Sequence, residues 1–129
     1  MNKIAVIDDN MIFRKVTKMH IKKTGFLEEN ILVFKNGKEI YDFIKNNIKN
    51  IDFLPKTLFL DLNMPIMDGW DFLKRLQEIK LECAYNPNIY VITSSVDDKD
   101  YKEAMEKFHV KGYLVKPINT DVLSKIIQL

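Results

Sequence analysis

Cysteine is close to absent. Cys83 stands alone in 129 residues, which excludes an intramolecular disulfide and fits a reducing, cytoplasmic setting, with a packing role for the thiol. Charge of one sign is missing as well: 20 basic residues against 18 acidic ones leave a formal net charge of +2. Such a balance supplies no electrostatic case for nucleic acid or an anionic membrane as partner. The local cluster Lys15, Lys18, Lys22 and Lys23 reads as the solvated face of a helix. No apolar run is long enough to cross a bilayer. Met1 leads straight into a strand-like segment, without the charged start, apolar stretch and small-residue site of a signal peptide. Internal repeats, linkers and low-complexity stretches are absent too. Residues 1–129 are therefore expected to form one domain with no appended output domain.

Present instead is an alternation of short apolar runs with amphipathic stretches. IAVID (Ile4 to Asp8), ILVF (Ile31 to Phe34), TLFLDL (Thr57 to Leu62), IYVIT (Ile89 to Thr93) and GYLV (Gly112 to Val115) read as five strands. Between them, helical spacing joins Phe13, Val16 and His20, with Gly25 as the stop. The same spacing joins Ile40, Phe43, Ile44 and Ile48; then Phe72, Leu73, Leu76 and Ile79; then Tyr101, Ala104, Met105 and Phe108. A last helix carries Val122, Leu123, Ile126 and Ile127, with Asn119 or Thr120 as its cap. Strands and helices in alternation predict an α/β fold: a doubly wound five-stranded parallel sheet flanked by five helices.

In such sheets, sites form beyond the carboxyl ends of the strands. The residues there are not ordinary loop residues. The first strand ends in Asp8-Asp9, the third in Asp61, the fourth in Thr93-Ser94-Ser95 and the fifth in Lys116-Pro117. Parallel strands bring these groups to one edge. Carboxylates packed together resist ionisation unless a cation neutralises them. Magnesium (or manganese) suits a few carboxylates, and it leaves positions for water and phosphate oxygens. Asp61 can then act as a nucleophile toward phosphorus and form an acyl phosphate. Lys116 and the Thr93 hydroxyl are placed to stabilise charge on the phosphoryl oxygens. Pro65 and Gly69 are expected to turn the loop after Asp61 sharply over the site.

IAVIDDN, LFLDLNMPIMDGW, VITSS and GYLVKP stand in this order, and together they resemble the receiver domain of two-component response regulators over essentially the whole length. The chain is similar to the stand-alone chemotaxis type. The resemblance implies the flavodoxin-like receiver fold with strand order 2-1-3-4-5 and Asp61 as phospho-acceptor. It implies a metal site of Asp8, Asp9, Asp61 and the Asn63 main-chain carbonyl, in an active-site loop that includes Asn63, Met64, Pro65 and Ser95. Lys116 is implied as the phosphate-contacting lysine, Thr93 as the switch hydroxyl and Tyr113 as the aromatic that reports activation. A cis Lys116–Pro117 peptide is implied as well, a state that sequence alone does not decide. The stretch from Thr93 to Lys116 is one residue longer than in the commonest receivers, and counting back from Lys116 selects Ser94 instead. Thr93 is preferred because IYVI runs directly into it.

The implied partners are a sensor histidine kinase or histidine phosphotransfer domain and an unnamed downstream protein. The expected state is a monomer or a weak phosphorylation-dependent dimer, with no direct binding of nucleic acid or membrane. The implied chemistry is confined to the chain's own aspartate, so no enzyme in the turnover sense is expected. A small phosphohydrolase with an aspartate nucleophile, of haloacid-dehalogenase type, is the alternative. That pattern requires a second acid two residues after the nucleophile, where this chain has Asn63. His20, His109 and Trp70 are given packing or helix-end roles and no part in chemistry; Met64 and Met67 belong to the loop and are not expected to bind metal, since thioethers are poor magnesium ligands.

Overall fold

The computed structural model describes residues 2–94 and 97–127. Its strands are β1 (Ile4–Ile7), β2 (Ile31–Phe34), β3 (Thr57–Asp61), β4 (Asn88–Thr93) and β5 (Gly112–Val115). The helices are α1 (Met11–Lys23), α2 (Gly37–Asn46), α3 (Gly69–Lys80), α4 (Asp98–Lys102) and α5 (Thr120–Ile126). A π-helical turn, Glu103–Lys107, prolongs α4. All four strand pairings are parallel, in the order β2-β1-β3-β4-β5.

The unbroken apolar strands follow from a sheet covered on both faces. Side chains alternate along β1: Ala5 and Ile7 enter one core with Ile40 and Ile44 of α2 and Phe72, Leu73 and Leu76 of α3. Ile4 and Val6 enter the other, with Ile21 of α1 and Leu123 of α5. In β3, Leu58 and Leu60 take the first face and Phe59 the second, all fully buried. The edge strands are covered less completely, leaving Val33 and Val115 exposed.

Each of the helices α1 to α5 starts on an Asn or Asp whose side chain accepts a backbone N–H of the first turn. Asn10, Asn36, Asp68, Asp97 and Asn119 serve α1 to α5 in that order. Such a cap is worth about 1 kcal/mol. The α1 helix stops where expected, at Gly25 with φ 100°. Its buried face is not the predicted one. Thr17 and Ile21 are buried, Phe13 and His20 are half-buried, and Val16 faces solvent. A short hydroxyl residue on the sheet side defeats a reading based on apolar spacing alone. His20 reaches α5 instead, with Nδ1 and the Thr120 hydroxyl 2.7 Å apart.

The π turn closes the fourth helix at His109, held at φ 54° in the left-handed region that usually selects glycine or asparagine. Trp70 packs on Phe108 with ring centroids 5.9 Å apart, tying the start of α3 to the end of that turn. Ile48 lies past the end of α2 but still packs on the core. Met64 and Met67 are drawn into the core from the β3–α3 loop.

Candidate functional site

Asp8 follows β1 and is buried; Asp9 beside it is exposed. Asp8 is held from several directions. Its Oδ1 accepts the Asn10 amide at 2.8 Å, and its main-chain carbonyl accepts the Arg14 guanidinium at 2.7 Å. Its Oδ2 lies 2.7 Å from the Lys116 ammonium and has no hydrogen-bond donor among the described residues that meets directional geometry. Asp61, the last residue of β3, is also buried, and its Oδ2 lies 3.8 Å from Lys116. Carboxylate oxygens of Asp8, Asp9 and Asp61 lie within 4.8 Å of one another.

Burial pushes the Asp61 carboxyl up from 3.8 to about 6, and the neighbouring Asp8 charge adds to the rise. Lys116, and then the Asn63 amide, which donates to Asp61 Oδ1 at 3.5 Å, pull the other way; Asp9 contributes a smaller rise. One ammonium does not neutralise three clustered carboxylates. An oxygen-only donor set, with a buried carboxylate oxygen lacking a directional donor, fits a hard divalent cation such as magnesium.

The fourth strand brings Thr93 to the same edge, buried, with its carbonyl accepting the Lys116 amide at 2.7 Å. The Tyr113 hydroxyl is buried beside Thr93, and burial, then the charge of Asp100, raises its pKa while the contact with Thr93 lowers it. The Tyr113 ring meets Tyr101 of α4 edge-on, with centroids 5.5 Å apart. Ser94 is exposed, and Ser95 lies outside the described residues. The Lys116–Pro117 peptide is cis.

The loop after Asp61 turns by a different device from the one expected. The sharp bend is a γ-turn in which the Met67 amide donates to the Pro65 carbonyl at 2.8 Å. Its central residue is Ile66, with φ 69°, a conformation disfavoured for a β-branched side chain. Ile66 is 83% exposed, so packing does not explain its presence there. Gly69 is needed for closeness, not for turning: a Cβ there would lie 2.6 Å from the Asp61 carbonyl oxygen.

Two contacts were not anticipated from sequence. Arg14 braces the Asp8 main chain, and the Phe13 ring lies beneath the Lys116 ammonium, 4.3 Å from centroid to nitrogen. Both residues sit in the first turn of α1, next to Asp8-Asp9. Their nearness to Asp8-Asp9 in the chain places them at the site, but helical spacing also puts Phe13 in the core stripe, and nothing in the sequence pairs it with Lys116.

The fold and this edge define a class. The response regulator receiver domain family matches residues 4–128, and the chain belongs to that family, the receiver domains of two-component signalling. It is 30% identical over 125 residues to hybrid signal transduction histidine kinase I of Dictyostelium discoideum, covering 97% of this chain and 7% of that protein. It is 30% identical over 127 residues to the transcriptional regulatory protein HptR of Staphylococcus aureus, covering 98% of this chain and 45% of that protein. The chain therefore spans less than half of either relative. A two-component response regulator from Cytophaga hutchinsonii superposes with a TM-score of 0.85 at 20% identity, covering 98% of this chain and 94% of that one. That likeness bears on the fold alone.

Proposed function

We propose that residues 1–129 act as one cytoplasmic receiver unit that accepts a phosphoryl group on Asp61 from a phosphohistidine of a sensor kinase or phosphotransfer domain. The observation that carries this reading is the meeting of Lys116 with buried Asp8 and Asp61 at one sheet edge. An Asp61 oxygen attacks phosphorus; the phosphorus–nitrogen bond breaks, and its electron pair leaves with the imidazole, which takes up a proton. Asp8, Asp9, Asp61 and the Asn63 main-chain carbonyl would hold a divalent cation such as magnesium or manganese, which would supply positive charge against the carboxylates and the phosphoryl oxygens. Lys116 swings from Asp8 toward a phosphoryl oxygen, and the Thr93 hydroxyl donates to another.

Downstream, Thr93 adjoins Tyr113, and Tyr113 meets Tyr101 on α4. A pull on Thr93 thus reaches the surface made by α4, β5 and α5, where a target protein binds one of two states. The chemistry stays on the chain's own aspartate and does not turn over free substrate. Asn63 is exposed where a phosphohydrolase of the alternative type needs its second acid. The test is incubation with magnesium and acetyl phosphate, read by intact mass and Trp70 fluorescence, with Asp61→Ala as control. A mass gain of one phosphoryl group that Asp61→Ala abolishes is expected. An unchanged gain in Asp61→Ala, or no gain in the wild type, contradicts the reading.

A further inference from the structure

Phe13 has no part in the mechanism above, yet its ring touches the cation on which that mechanism depends. It is the third residue of α1, its amide fixed to the Asn10 side chain at 2.9 Å, and its ring is half-buried against the α1/α5 core. The Lys116 nitrogen lies 4.3 Å from the ring centroid, 2.7 Å from Asp8 Oδ2 and 3.8 Å from Asp61 Oδ2. The ammonium is thus bounded by two anions and one aromatic face, with its side chain 20% exposed.

The chemistry of that face differs from that of a third anion. A ring attracts a cation through its quadrupole without consuming a strong N–H donor. The ring therefore occupies none of the Lys116 donors that a phosphoryl oxygen would take over from Asp8. A carboxylate in the same place would repel the incoming phosphoryl group. Water there would let the four-carbon stem of lysine disperse among rotamers.

We propose that Phe13 is a positioning residue for phosphoryl transfer to Asp61: its ring face holds the Lys116 ammonium over the acidic pocket while leaving its hydrogen-bond donors for the phosphoryl group. This rests on the receiver reading of the preceding subsection. Phe13 touches no reacting atom; it acts through Lys116.

The test uses the full chain with Phe13→Leu and Phe13→Met, which both remove the ring at nearly constant bulk, and Phe13→Tyr, which keeps it. In metal-free protein, NMR should find the Lys116 ε-methylene protons shifted upfield by the ring. The shift should vanish in Phe13→Leu and Phe13→Met and persist in Phe13→Tyr. With magnesium and acetyl phosphate, loss of the ring should slow Asp61 adduct formation roughly threefold to thirtyfold, the range from an exposed to a desolvated cation–π contact. In a Lys116→Met background the same substitutions should add no further slowing. Equal slowing in both backgrounds would mean that Phe13 only supports the fold, and no slowing in either would remove its role; both overturn the proposal. A wild type that forms no Asp61 adduct defeats the receiver reading itself, whereas a wild type without the upfield shift defeats the Phe13 contact alone.

Discussion

Replacing Asp61 with asparagine should make the metal-free protein more stable, and the gain should depend on pH. The Asp61 carboxyl is raised from 3.8 to about 6, first by burial and then by the Asp8 charge. A carboxyl with a higher pKa folded than unfolded holds its proton longer in the folded state. Unfolding then releases that proton between the two values, and the native state loses stability as pH rises through that window. At about 1.4 kcal/mol per unit, the full loss is about 3 kcal/mol once pH exceeds 6. The asparagine side chain keeps the shape without the charge. With chelator present at pH 7.5, Asp61→Asn should therefore unfold at higher urea concentration, by up to about 3 kcal/mol, or about 10 °C in thermal midpoint. Near pH 4 most of that gain should disappear, because the wild-type carboxyl is then protonated in the folded state. Titrations of groups away from this pocket are common to both proteins and cancel in the difference. Magnesium should stabilise the wild type by an amount that grows with the logarithm of its concentration, and do less for the variant. No gain at pH 7.5, or an equal gain at both pH values, would refute the electrostatic account of the pocket.

Other consequences are local. Gly69→Ala forces a Cβ to within 2.6 Å of the Asp61 carbonyl oxygen, so it should destabilise by about 1–3 kcal/mol in urea titrations and slow Asp61 adduct formation. Unaltered rates and stability would show that the loop yields freely. Ile66→Gly relieves the positive φ at the γ-turn and should raise stability by about 1 kcal/mol, after the added freedom of glycine in the unfolded chain is counted. A loss of stability in calorimetry would show that the turn is not strained.

Much of the fold was readable because its strands are buried on both faces. ILVF and GYLV coincide with β2 and β5, and the other three strand readings differ from β1, β3 and β4 by one residue at one end. Apolar spacing failed where the sheet-facing residue is polar, as at Thr17, and it wrongly enlisted Val16. The acidic cluster and Lys116 were legible because chain order places each at the end of a parallel strand. Loop geometry was not: the positive φ falls on Ile66, which carries no turn signature, and the need for Gly69 depends on a distance across the fold. The ring beneath Lys116 was hidden for the same reason, since the partners lie at opposite ends of the chain.

In the proposed mechanism Asp61 alone carries the phosphoryl group. Its most direct test is borohydride reduction of the acetyl-phosphate-treated protein, followed by peptide mass mapping. An acyl phosphate reduces to the alcohol, so the account predicts homoserine at position 61 and unmodified Asp8 and Asp9. Reduction at Asp8 or Asp9, or at no aspartate while phosphate is retained elsewhere, would contradict it.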